Sequence, residues 1–214
     1  MRRLTALLLV MLVPALASAQ GYRNQWEWSV AAIYQESEGD SALAGSSFEL
    51  DSDLGLGFSF GYLFTEKFMI GADIEWLSPD YVATLVDDVG NTTVIDHESS
   101  QFNGRIKASY NFMSGPFTPY VEAGFGWTYM DSNVADGPPI TGCWWHPWYG
   151  YICSGYYNTF HETSFSYGGA LGLRYKLRGG TLIKLSYNTY NIDDGGNAPD
   201  PTLSAARLEF GWGF

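Results

Sequence analysis

From Trp26 to the end of the chain, hydrophobic and polar positions alternate with period two, the pattern that sends successive side chains of a strand to opposite faces. In the last segment Ala206, Leu208, Phe210, Trp212 and Phe214 share one face, while Arg207, Glu209, Gly211 and Gly213 share the other. The pattern recurs seven more times. Trp26, Trp28, Val30, Ala32 and Tyr34 oppose Glu27 and Ser29, and Leu54, Leu56, Phe58, Phe60 and Tyr62 oppose Asp53, Gly55, Gly57, Ser59 and Gly61. Phe68, Ile70, Ala72, Ile74 and Trp76 oppose Gly71, Asp73 and Glu75, and Phe102, Ile106, Ala108, Tyr110 and Phe112 oppose Gln101, Asn103, Arg105, Lys107 and Ser109. Val121, Ala123, Phe125, Trp127 and Tyr129 oppose Glu122, Gly124, Gly126 and Thr128. Phe165, Tyr167, Leu171, Leu173, Tyr175 and Leu177 oppose Ser166, Gly168, Gly172, Arg174 and Lys176, and Ile183, Leu185 and Tyr187 oppose Lys184, Ser186 and Asn188. Helical periodicity is absent. The connections alternate short (65–67, 113–117, 178–180) with long (35–47, 78–98, 131–162, 191–203), so the pattern predicts eight antiparallel strands running up and down.

Alternation alone also fits a half-buried soluble sheet, and the charges decide between the two. The apolar faces carry none. The opposite faces collect six acids (Glu27, Asp53, Asp73, Glu75, Glu122, Glu209) and six bases (Arg105, Lys107, Arg174, Lys176, Lys184, Arg207). Aromatic residues make up 17% of the chain and gather near strand ends, as Trp26, Tyr62, Phe64, Trp76, Trp127, Tyr187, Trp212 and Phe214 do, which matches the two interfacial girdles of a lipid-facing band. The apolar faces therefore point out and the charged faces in. The predicted architecture is all-β: a closed eight-stranded antiparallel up-and-down transmembrane β-barrel with four long extracellular loops, both termini on the periplasmic side.

The N-terminus supports export. Arg2 and Arg3 precede an apolar run from Leu4 to Leu16, and Ala17-Ser18-Ala19 offers the small residues of a cleavage site, so 1–19 reads as a signal peptide and 20–214 as the barrel domain. No cysteine follows the cleavage site, and the lipoprotein route is not indicated. Export into an oxidising compartment favours a disulfide between the two cysteines, Cys143 and Cys153. A metal site would need more thiol or imidazole ligands than His146 supplies between them.

On these features the chain resembles the small outer-membrane barrels of the OmpA and OmpX type, within the outer-membrane β-barrel domain superfamily. The terminal Leu208, Phe210, Trp212 and Phe214 look like the aromatic-ended assembly signal read by the barrel-insertion machinery. The resemblance spans Gln20 to Phe214 and implies a bacterial outer-membrane location in contact with membrane lipids and lipopolysaccharide, as a monomer. A departure is the third long connection, with Trp144, Trp145, Trp148, Tyr149 and Tyr151 around the cysteines. Those rings suit a membrane interface, a sugar face, or a self-packed cap.

Charge narrows the partners. No lysine or arginine falls in the long connections, whereas 16 of the 23 acids lie on or beside them. That argues against binding nucleic acid by simple electrostatics and favours divalent cations or cationic partners, although a surface kept hydrated by its acids explains the same charge and is preferred to dedicated cation binding. Inside the barrel, equal numbers of acids and bases predict mutual neutralisation and a filled interior, since eight strands enclose little more than side chains. Catalysis needs a nucleophile, a base and an orienting acid within reach. His161, Glu162, Thr163 and Ser164 form the one local set of that composition, while His97 and His146 fall in long connections, and no enzyme activity, cofactor or metal is expected. The expected role is structural or surface-interacting, with a narrow solute channel as the alternative and a lipid A-modifying enzyme as the second.

Overall fold

The computed structural model describes residues 25–41, 47–86, 92–135, 138, 140–156, 159–177, 179–193 and 201–214; the export segment lies outside the described residues. In chain order the strands are β1 (Gln25–Gln35), β2 (Glu38–Ser41), β3 (Ser47–Leu50), β4 (Asp53–Leu63), β5 (Phe68–Leu77), β6 (Asp80–Val86) and β7 (Thr92–Asn111). They continue as β8 (Phe117–Ala135), β9 (Ile140–His146), β10 (Gly150–Tyr156), β11 (Thr159–Lys176), β12 (Thr181–Asp193) and β13 (Thr202–Gly213). Eight of them close a ring in the order β1-β4-β5-β7-β8-β11-β12-β13, and β13 returns to β1. Every pairing is antiparallel. Val30, for example, faces Phe58 on one side and Phe210 on the other.

Closure is finished by the chain end, where Trp26 N–H donates to Phe214 O at 3.0 Å and Phe214 N–H donates to Trp26 O at 2.9 Å. No sheet edge is left where lipid would have to satisfy it. The alternation sorts as expected: Leu54, Leu56, Leu171, Leu185 and Leu208 are exposed on the outside, while Glu27, Asp73, Glu75, Arg105 and Glu209 are buried inside. Trp212 points outward but is only 5% exposed, because the rings of Trp28 (4.7 Å) and Phe210 (5.0 Å) cover it.

The short connections are tight. Thr65 Oγ1 accepts from Lys67 N–H and Phe68 N–H, and the turn into β12 places Gly179 and Gly180 at φ 98° and 88°, a region that costs other residues strain. The long connections differ from the sequence expectation. Much of what lies in them is strand: β7, β8 and β11 run on past the apolar alternation, β6 folds back on β7, β3 pairs with β6, β2 pairs with β3, and β9 with β10 forms a separate two-stranded sheet. The cause is physical. Beyond the bilayer no lipid requires an apolar face, so the hydrophobic signal ends while the backbone ladder continues.

Candidate functional site

The barrel interior is built from inward positions on all eight ring strands. Arg207 Nη1 of β13 lies 2.8 Å from Glu75 Oε1 and 3.4 Å from Asp73 Oδ2, both on β5, and its Nε lies 3.2 Å from Glu209 Oε1. From β7, Arg105 Nη1 reaches Glu75 Oε2 at 2.6 Å, and Lys107 Nζ bridges Asp73 and Glu122 at 3.3 Å each. Lys184 of β12 approaches Glu209 Oε2 at 3.6 Å. Arg174 of β11 pairs with Glu27 of β1 apart from this network. Among the described residues buried charge thus balances, five acids against five bases.

Hydroxyls and amides add hydrogen bonds to the network, while Glu27 Oε2, Arg105 Nε and Arg174 Nε are buried with no hydrogen-bond partner among the described residues. Ser29 Oγ donates to Glu209, Ser109 Oγ donates to Glu122 at 2.8 Å, Asn103 Nδ2 donates to Glu75 at 3.1 Å, and Arg207 Nη2 donates to Ser59 Oγ at 2.6 Å. The Arg105 guanidinium lies 3.9 Å over the Tyr190 ring. Charges held this far from water are tolerable only with partners of this kind.

Two expected interior charges sit at the ends of this stack. Asp53 is half-buried at the outer rim, where its Oδ2 accepts from Ser78 N–H at 2.6 Å, and Lys176 is half-buried near the opposite end, where Nζ donates to Gln25 Oε1 at 2.7 Å. They share the inward face but lie where the strands leave the lumen, close to bulk water.

Sequence alternation missed the apolar residues that also point inward. Leu63, Met69 and Leu182 are buried towards the periplasmic turns; Ala31, Ile33 and Leu77 cluster towards the outer end, and Leu50 packs with Ile192 and Leu203 beyond them. The available signal was a break in the period. At Ala32-Ile33-Tyr34, Tyr62-Leu63-Phe64 and Trp76-Leu77 consecutive positions are apolar, which places one large residue on the inner face. Between these plugs, two voids of about 10 Å³ each lie against Tyr120, Arg174 and Lys184 and against Glu27, Ser59 and Lys107. Each has room for roughly one water molecule.

At the outer mouth a cleft of about 400 Å³ is lined by Asp80, Glu98 and Asp131 with Ser78, Ser99, Ser100, Ser132 and Thr159. Carboxylates and hydroxyls dominate it. Among the described residues, however, no three His, Cys, Asp or Glu side chains come together as a metal would need. The histidines are engaged elsewhere. His97 pairs across the sheet with Tyr81, their rings 5.1 Å apart, and His161 accompanies Tyr129 at 6.3 Å. In β11 neighbouring side chains alternate, so His161 and Thr163 share one face and Glu162 and Ser164 the other.

The third connection carries the other candidate. Cys143 and Cys153 are direct cross-strand partners in the β9–β10 hairpin, their Sγ atoms bonded at 2.10 Å. Trp145 and Tyr151 form the next pair on the same face. The tip, 147–149, is held by His146, whose Nδ1 accepts from Trp148 N–H at 3.2 Å and whose ring lies 4.7 Å from that of Tyr149. Gly150 closes the turn at φ 75°. Trp145, Trp148, Tyr149 and Tyr151 are 73%, 84%, 77% and 69% exposed. The fifth expected ring, Trp144, pairs in register with Ile152.

Comparison with known proteins agrees with this geometry. The family model for the outer membrane protein beta-barrel domain matches residues 5–214. Among solved structures, Ail of Yersinia pestis in complex with the heparin analogue sucrose octasulfate superposes with a TM-score of 0.52 at 14% identity, covering 90% of this chain and 99% of that one. OprG of Pseudomonas aeruginosa gives 0.51 at 15%, covering 90% and 96%, and Neisserial surface protein A gives 0.51 at 15%, covering 88% and 95%. No curated protein matches the sequence. At such identities the likeness is one of fold.

Proposed function

The chain belongs to the outer membrane protein beta-barrel domain family, and from that premise we propose that it is a surface-interaction protein of the bacterial outer membrane whose lumen is closed to solutes. The observation that carries the closed lumen is the neutral, interlocked charge stack around Arg207, with voids of about 10 Å³ and apolar residues at both ends. A hydrated ion would have to break several buried ion pairs to pass. Planar-bilayer recording tests this directly: the purified barrel is expected to give no steps above the bare bilayer, and a stable unitary conductance would overturn the closed lumen.

In this reading residues 1–19 export the chain and are removed, Leu208, Phe210, Trp212 and Phe214 present it to the insertion machinery, and the outward face meets lipid and lipopolysaccharide as a monomer. The barrel is not an enzyme. The separation of His161 and Thr163 from Glu162 and Ser164 across β11 supports this, because a base and its orienting acid must reach one another. Ail is described with a sulfated ligand; the long connections here hold no lysine or arginine to receive one. Divalent cations remain the ions this acidic surface would attract, through diffuse charge.

A further inference from the structure

The β9–β10 hairpin differs from the rest of the outer side in charge. Sixteen acids lie on or beside the long connections, yet the 25 residues 137–161 contain no Asp, Glu, Lys or Arg. In that neutral stretch stand four aromatic rings that are 69–84% exposed. Exposed rings of this size cost solvation unless they meet a partner. The frame that carries them is tied down: the Cys143–Cys153 bond joins the strands, Gly150 closes the tip, and His146 accepts from Trp148 N–H and lies against the Tyr149 ring.

We propose that this hairpin is a binding platform for neutral glycan chains. Trp145 and Tyr151, opposite one another on one hairpin face, offer adjacent ring faces on which the C–H faces of sugar rings stack, while the indole N–H and phenol O–H groups reach hydroxyls. Tryptophan and tyrosine lose few rotamers on binding, and the disulfide restrains the backbone that carries them. Charge selects the glycan class. Phosphate, sulfate and carboxylate groups would meet acids flanking the hairpin and no lysine or arginine within it.

Geometry argues against the chain's own bilayer as the occupant. Trp127 and Phe165, paired across β8 and β11, mark the outer girdle, and β8 continues eight residues beyond Trp127 to Ala135. At the usual rise and tilt that root stands about 20 Å above the girdle. The headgroup layer is only about 5–8 Å deep.

The proposal rests on the surface-interaction reading, and its test is separable from the conductance test, since a conducting barrel could still bind glycan and a sealed one could fail to. Full-length protein in detergent micelles is passed over beads bearing neutral glycans of glucose, galactose, mannose and N-acetylglucosamine, over heparin beads, and over phosphatidylcholine vesicles. Retention by at least one neutral glycan and by neither heparin nor vesicles is expected. Trp148→Ala and Trp145→Ala should each weaken that retention about tenfold, the equivalent of one lost stacking contact. Circular dichroism and thiol labelling check that barrel and disulfide survive in each variant. Failure of every neutral glycan, retention by vesicles or heparin instead, or tight binding undiminished in both tryptophan variants would overturn the proposal.

Discussion

Arg174→Met asks what an isolated charge pair inside the barrel contributes. Arg174 is 4% exposed and Glu27 2% exposed, and the two pair outside the Arg207 network, so a change here leaves the other ion pairs intact. Removing the guanidinium leaves Glu27 buried without its partner, a loss that typically costs about 3–5 kcal/mol. The lower end is expected, about 3 kcal/mol, because Lys176 lies two residues along the same inward face and is half-buried near the barrel end. Glu27→Gln in the Arg174→Met background removes the stranded charge and should bring stability back to within about 1 kcal/mol of the parent. Urea unfolding from lipid vesicles, followed by tryptophan fluorescence, gives the four corners of the cycle. If the two single changes simply add, or if Arg174→Met costs under about 1 kcal/mol, the lumen is wet enough to screen the pair and the filled-barrel argument fails.

Three other outcomes follow from the same geometry. Leu171 is outward, 68% exposed and midway between the girdle positions Phe165 and Tyr175, so Leu171→Arg should cost about 2–4 kcal/mol in the same vesicle assay, while Ser186→Ala on the inner face should cost far less; equal costs would mean the faces are reversed. Deleting Phe214 removes its backbone pair with Trp26, and placing Asp at Phe210 and Phe214 puts charge on the outward face of the closing strand; either change should leave the chain in the periplasm, and normal outer-membrane levels by fractionation would refute that role. Cys143→Ser should free one thiol to labelling and loosen the hairpin without changing barrel stability by more than about 1 kcal/mol, because β9 and β10 form their own sheet; a cooperative loss of both would make the hairpin part of the barrel's stability.

The faces of the strands were legible in the sequence because lipid imposes one rule on every membrane-embedded position, and period two records it. The rule fails where its cause ends. Beyond Trp127 and Phe165 the outer strands continue as β8 and β11 with polar residues on both faces, and no hydrophobic pattern announces them. Inside the lumen the charged types were legible, but not which acid meets which base. Glu75 serves Arg105 and Arg207 together, and Asp73 serves three bases, a sharing fixed by the register of β5, β7 and β13 across the barrel diameter. The apolar plugs were hidden for the opposite reason: Ile33, Leu63 and Leu77 sit beside lipid-facing residues of the same kind, and a continuous apolar run does not say which of its members faces in.

Gly172 shows how far packing alters a reading made from parity alone. As an inward neighbour of Leu171 it invites small polar replacements, yet a Cβ there would stand 2.6 Å from Leu185 O and 2.6 Å from the Tyr120 ring. Tyr120, the direct partner of Gly172 on the neighbouring strand β8, is 4% exposed and already occupies the space a side chain would need. A large inward residue on one strand is matched by glycine on its neighbour, which is how eight strands reach close packing in so narrow a cylinder. The same matching accounts for the small size of the voids beside Tyr120 and Lys107. It also separates the molecule's two parts: the lumen is specified by complementary volumes and charges that tolerate little change, whereas the disulfide-clamped hairpin shares no sheet with the barrel and is free to vary its rings without disturbing it.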